Sequence, residues 1–187
     1  PEGLGLEIGL GQVEAHRHDA SVVTFAFTRE PHESWRDFLS ALAATFRVAL
    51  IHLHNISGCR EGLLEALDDC GIPFGYTLHD LNFACPTITF LDPAGRYCGG
   101  VTDARTCQAC VDAQPSFAEV DVATWRARHG ALVERAAFVI APSKWAAAML
   151  DRYFPRSDVI VIPHGTAVPP PTRLPGTRLG VLMPDDG

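Results

Sequence analysis

Short β-prone runs and amphipathic helical stretches take turns along this chain from about residue 21, and that rhythm leaves few folds open. Ser21–Phe27 reads as a strand. Ser34, with Asp37 three residues on, has the spacing of a capping box. Trp35, Phe38, Leu39, Leu42 and Phe46 then recur as one buried helical stripe. Val48–Leu53 is the next strand, ending in His54-Asn55. Ser57 is placed to cap a second helix with Cys59, Leu63, Leu67 and Cys70 on its core face, and Gly71 to end it. Phe74–Leu78 makes a third strand that runs into His79-Asp80. Helical spacing returns with Val122, Trp125, Leu132, Val133 and Ala136. A strand at Phe138–Ala141, a helix capped by Ser143 and a strand at Val159–Ile162 close the series.

Apolar strands separated by helices imply a mostly parallel sheet covered on both faces, because a parallel pair needs a crossover and the crossover is usually a helix. The expected fold is α/β, a Rossmann-like doubly wound unit over residues 1–166. With 47% hydrophobic residues in 187, the chain can bury a core of that size. Val168-Pro169-Pro170-Pro171 and Pro175-Gly176 make 167–187 read as a semi-rigid linker, with Arg178–Met183 as the first strand of a further domain. A net charge of −7 and a pI near 5.5 exclude the basic stripe of a nucleic-acid binder. No apolar run reaches membrane-spanning length, and Glu2, Glu7 and Glu14 argue against a signal peptide. The expected setting is cytoplasmic, with peripheral membrane contact still open.

Residues 81–118 break the rhythm. They hold Cys85, Cys98, Cys107 and Cys110 and no convincing periodicity, which reads as a Cys-rich loop insertion. The spacing C-x12-C-x8-C-x2-C offers four thiolates and one close pair, as tetrahedral zinc requires. A structural zinc would lend folding free energy to a loop without a core of its own. Two disulfides, free thiols or an iron–sulfur cluster are the alternatives. Four protein ligands leave no open position, so such a metal is expected to be architectural. Cys59 and Cys70, at helical spacing, read as small buried hydrophobes. His52, His54 and His79 make a weaker second metal set, since two histidines on a buried strand are more simply satisfied core residues.

In doubly wound sheets ligands bind at the carboxyl ends of the strands. His54-Asn55, His79-Asp80, Pro142-Ser143 and His164-Gly165 all fall at that edge in this reading. Recurrence at the same place in successive units makes a cleft of them.

The segments IHLHNISG (51–58), GIPFGYTLHDLNFACP (71–86), FVIAPSKW (138–145) and VIVIPHGT (159–166) resemble, in order and spacing, the N-terminal domain of GT-B glycosyltransferases of family 4. The resemblance implies two Rossmann-like domains facing across a cleft, the N-terminal one binding the acceptor and the other holding the nucleotide-sugar. It implies transfer of a hexosyl group without catalytic metal. The His of the family's "HD" motif falls on His79, whose implied role is polar stabilisation or proton handling at the reacting centre. Asp80 is either the carboxylate that orients this imidazole or the cap of the following turn. His54, Asn55, Ser143, Lys144, His164 and Gly165 are the expected substrate-side residues, although Ser143 also suits a plain N-cap. The family opens with a strand and a Gly-rich loop. Here Gly3, Gly5, Gly9 and Gly11 precede no clear helix, so a divergent or missing first strand is expected. The family's paired C-terminal glutamates have no counterpart before Gly187, so the chain by itself is expected to be inactive, with its own C-terminal domain as partner. A non-catalytic module that holds carbohydrate or protein on the same rim is the alternative.

Overall fold

A computed structural model describes residues 4–9, 12–17, 25–28, 33–56, 62–117, 119–156 and 158–165. Among these residues seven strands form one sheet: β1 (Leu4–Gly9), β2 (Gln12–Arg17), β3 (Phe25–Thr28), β4 (Val48–Asn55), β5 (Phe74–Thr77), β6 (Phe138–Ala141) and β7 (Val159–Val161), in the order β3-β2-β1-β4-β5-β6-β7. From β1 through β7 every neighbouring pair is parallel, whereas β2 and β3 are added antiparallel beyond β1. The Rossmann-like α/β expectation therefore holds. Of the two alternatives for the first strand, divergent or missing, the divergent one is found: β1 is present and turns back into β2 instead of leading into a helix. The strand expected at Ser21–Phe27 overlaps β3 on the antiparallel edge, and residues 21–24 lie outside the described residues.

The helices are α1 (Trp35–Thr45), α2 (Leu63–Cys70), α3 (Ala104–Asp112), α4 (Val122–Arg135) and α5 (Lys144–Tyr153). α1 starts where expected: Ser34 Oγ accepts from Asp37 N at 3.1 Å and donates to the Asp37 carboxylate at 2.7 Å. Trp35, Phe38, Leu39 and Leu42 are its buried stripe. α2 begins at Leu63 after Gly62 with no side-chain cap, and Ser57 and Cys59 lie outside the described residues. Gly71 ends it in the left-handed region at φ 63°, as anticipated. The stretch 81–118 is not all loop. α3 lies within it and carries Cys107 and Cys110, and a 3-10 turn follows at Pro115–Phe117. The expected linker at 167–187 lies outside the described residues.

The core joins the α1 stripe and Leu63 and Leu67 of α2 to Ile51, Leu53, Phe74, Tyr76, Val139, Leu132 and Leu150. All four residues of β5 are buried, as a strand covered on both faces must be. Fully burying side chains of this kind stabilises by about 1.5–3 kcal/mol each. In β4 the alternation is chemically sharp. Ile51 and Leu53 are wholly buried, while His52 and His54 lie on the opposite face and are half-buried. β4 thus anchors itself with two aliphatic residues and presents two imidazoles.

Candidate active site

Because β4, β5, β6 and β7 are parallel neighbours, their carboxyl ends lie along one edge. The edge carries His54 at the end of β4, His79 just after β5, Ser143 after β6 and His164 after β7. Three of the four meet. His54 Nδ1 and His79 Nε2 are hydrogen-bonded at 3.0 Å, and the His79 and His164 rings stack with centroids 6.1 Å apart and planes 19° from parallel. The row extends inward to His52, whose ring centroid is 4.2 Å from that of His54. His52 Nε2 in turn shares a 2.8 Å hydrogen bond with Thr77 Oγ1 on β5. Period-two pairing across β4 and β5 sets this up, His52 standing opposite Gly75.

Gly75 has a steric reason. A Cβ built there would lie 2.0 Å from the ring of Phe138, so β5 must lack a side chain for that ring to lie across it. The same ring meets His52 edge-on, centroids 5.4 Å apart.

The surroundings of His79 disfavour its cationic form. Partial burial lowers the pKa of His79, and the neighbouring His54 and His164 lower it further, against the opposing pull of Asp80. The Asp80 carboxylate itself accepts from Asn82 N at 2.8 Å, which makes it the cap of the following turn. The group hydrogen-bonded to the His79 imidazole is His54.

The other expected residues take varied places. Ser143 is half-buried and its hydroxyl accepts from Ala146 N at 3.1 Å, the N-cap duty of α5. Lys144, His164 and Gly165 are exposed. Asn55 ends β4 opposite Gly9 of β1.

A cavity of about 910 Å³, unforeseen from the sequence, opens beside the rim. Ile56, just beyond β4, and Asn82, just beyond His79-Asp80, help to line it, together with Leu63, Trp125, Arg128 and His129. Trp125 donates from Nε1 to the Asn82 carbonyl at 2.7 Å, fixing its indole. His129 is buried, its ring 4.8 Å from that of Trp125, and its Nδ1 is 2.9 Å from the Trp125 carbonyl. A carbonyl only accepts, so Nδ1 carries the proton. The signal available in sequence was the i,i+4 pairing of Trp125 and His129 on one helix face.

Cys85, Cys98, Cys107 and Cys110 are free and half-buried. Arg126 organises their surroundings: it donates to the carbonyls of Ala84, Val101 and Thr102 and, at 3.1 Å, to Cys107 Sγ, with its guanidinium 4.8 Å from the Tyr153 ring centre. Burial together with the other three thiols raises the Cys110 pKa. Cys85 Sγ is 3.2 Å from Thr87 Oγ1, and Cys107 Sγ is also 3.2 Å from the Val101 carbonyl. Among the described residues, no group of three or more His, Cys, Asp or Glu side chains is disposed to hold a metal ion as it stands.

In a Rossmann-like α/β domain, the carboxyl edge of the sheet is where ligands bind, and here polar groups gather on it. Residues 9–168 match the model of a family described as Glycosyltransferase Family 4. That span is most of the chain, and the chain belongs to this family. No curated protein and no solved structure shows significant similarity to it. No helix among the described residues is long and apolar enough to cross a membrane.

Proposed function

We propose that this domain forms the acceptor side of a transferase that moves a hexosyl group from a nucleotide-sugar to an acceptor hydroxyl. In the step, the acceptor oxygen bonds to the anomeric carbon. The bond from that carbon to the phosphate oxygen breaks, and nucleoside diphosphate leaves. The acceptor's proton passes to the neutral imidazole of His79. The observation that carries this reading is the row of His54, His79 and His164 at the carboxyl rim, with His79 held uncharged. An imidazole is suited to accept a proton near neutral pH when its own pKa is not raised.

The cavity beside the rim is where the acceptor lodges in this reading. Trp125 offers an aromatic edge, and Asn82, Arg128 and His129 offer polar groups among aliphatic walls. The donor is held chiefly by a second domain, because β1 turns into β2 without the helix N-terminus that commonly cradles phosphates. Two measurements test the proposal. Calorimetry of this chain with UDP- and GDP-hexoses should show negligible affinity, and tight binding would overturn the division of labour. In the two-domain enzyme, His79→Asn should lower kcat by about 10²–10⁴-fold. An unchanged kcat would leave a carbohydrate- or protein-holding module as the better description.

For the four cysteines we propose an architectural zinc. Support comes from four half-buried thiols drawn from three chain segments around Arg126, whose N–H bond to Cys107 Sγ suits a thiolate. Zinc binding requires Cys85 and Cys107 to turn from Thr87 and Val101 toward a common centre. Elemental analysis of the purified chain should find about one zinc per chain, lost on Cys107→Ser. Metal-free protein with titratable thiols and unchanged stability would refute it.

A further inference from the structure

We infer that His54 is a positioning residue for His79: the hydrogen bond between His54 Nδ1 and His79 Nε2 dictates whether His79 presents a lone pair or a proton at its remaining nitrogen, Nδ1. The inference rests on the proposed role of His79 for its functional meaning, but the coupling between the two rings stands on geometry alone.

At 3.0 Å the two nitrogens share one hydrogen. If His79 Nε2 carries it, His79 Nδ1 is an acceptor, able to take the proton of a hydroxyl. If His54 Nδ1 carries it, neutral His79 must carry its own proton on Nδ1 and becomes a donor. The tautomer of His54 therefore decides whether His79 acts as base or as hydrogen-bond donor. Both rings cannot be fully protonated and keep the bond, since each nitrogen would then present a hydrogen.

His54 is well built to exert this control. It is half-buried in β4 between the wholly buried Leu53 and the strand end, and its ring packs on His52. His52 is itself tied to Thr77, two residues before His79 on the adjoining strand. His79, by contrast, is exposed and follows a strand end. The ring within the strand steers the ring beyond a strand end, as carboxylates do for catalytic histidines elsewhere. Asp80, the carboxylate nearest in sequence, spends an oxygen on the turn at Asn82. The charged and titratable groups acting on His79 are His54, His164 and Asp80, and His52 borders His54.

The test is nitrogen-15 NMR of the imidazoles in the 187-residue chain, read through the pH range of histidine titration. In the unaltered chain, His79 should show one dominant tautomer and a titration midpoint below that of an ordinary imidazole. His54→Leu should redistribute the tautomer of His79 and move its midpoint upward. His54→Asn, whose amide can stand near the place of Nδ1, should retain most of the original tautomer. As a reciprocal measurement that spares the core strand, His79→Asn should displace the nitrogen signals of His54. Overlapping His79 spectra and midpoints in the unaltered and His54→Leu chains, or His54 signals untouched by His79→Asn, would overturn the inference. Failure of the proposed function has a different signature. The NMR coupling would then persist, and in the two-domain enzyme neither His54→Leu nor His79→Asn would alter kcat or its acidic limb.

Discussion

Two imidazoles in this domain are disfavoured as cations, and the sign of the resulting pH dependence is determined. Burial lowers the pKa of His129, Arg128 adds to the effect, and its bond to the Trp125 carbonyl and the charge of Asp80 oppose it. Burial likewise leads in lowering His79. In the unfolded chain both titrate near the ordinary imidazole value of about 6.5. Between that value and the lower folded midpoints, the unfolded state binds more protons, so acid draws the equilibrium toward it. Stability is therefore expected to fall as pH drops below about 6.5, levelling once the folded midpoints are passed. Denaturant unfolding across this range should show the slope, and His129→Gln should flatten it. A midpoint that holds steady or climbs on acidification would contradict the assignment. His79, being exposed, contributes less than His129. None of these shifts was legible in sequence, since they depend on which rings the fold brings together. The rim positions of His54, His79 and His164 were legible, because a parallel sheet sends every strand end to one edge.

At the scale of elements, the segment from Leu81 to Phe117 is held to α4 and α5 by side chains, Trp125, Arg126, Arg152 and Tyr153, that each donate to its carbonyls. Ile88 and Phe90 both sit at φ 58°, a conformation costly for such residues, and Phe90 is nonetheless fully buried. Arg126 of α4 ties this strained chain down through the carbonyls of Ala84, Val101 and Thr102. Arg126→Ala removes the Arg126 donor from the Ala84 and Thr102 carbonyls and one of several donors from Val101, and should cost about 2–4 kcal/mol by urea denaturation. A loss under about 0.5 kcal/mol, the range of an ordinary surface substitution, would show that the segment is held some other way. Why α3 escaped the sequence reading is plain from its burial. Val111 alone is fully buried, so no apolar stripe exists to reveal it. α1 and α5 were readable because Ser34 and Ser143 perform the capping their positions advertise. α2 opens on Gly62, which has no capping side chain to be recognised.

For the molecule as a whole, the parallel sheet was foreseeable and its far edge was not. Leu4, Leu6 and Ile8 do alternate with period two, but Gly5 falls among them and Gly9 follows, and both read as loop residues. Pairing with β4 overrides that local weakness: Leu6 stands opposite Ile51 and Ile8 opposite Leu53. The antiparallel β2 and β3 then extend the sheet away from the histidine row. The imidazoles of the rim thus come from the parallel half, where strand ends agree in direction. The hairpin half adds width to the sheet.

The bare backbone at Gly75 has a reach beyond its own strand. By leaving out one carbon it makes room for the tip of the Phe138 ring, and the innermost imidazole packs edge-on against that ring. The seat of His52, from which the file of imidazoles runs out to His164, thus depends on a side chain that is absent. A methyl at that point would force the Phe138 ring to move, and the imidazole resting on it would be the first to shift.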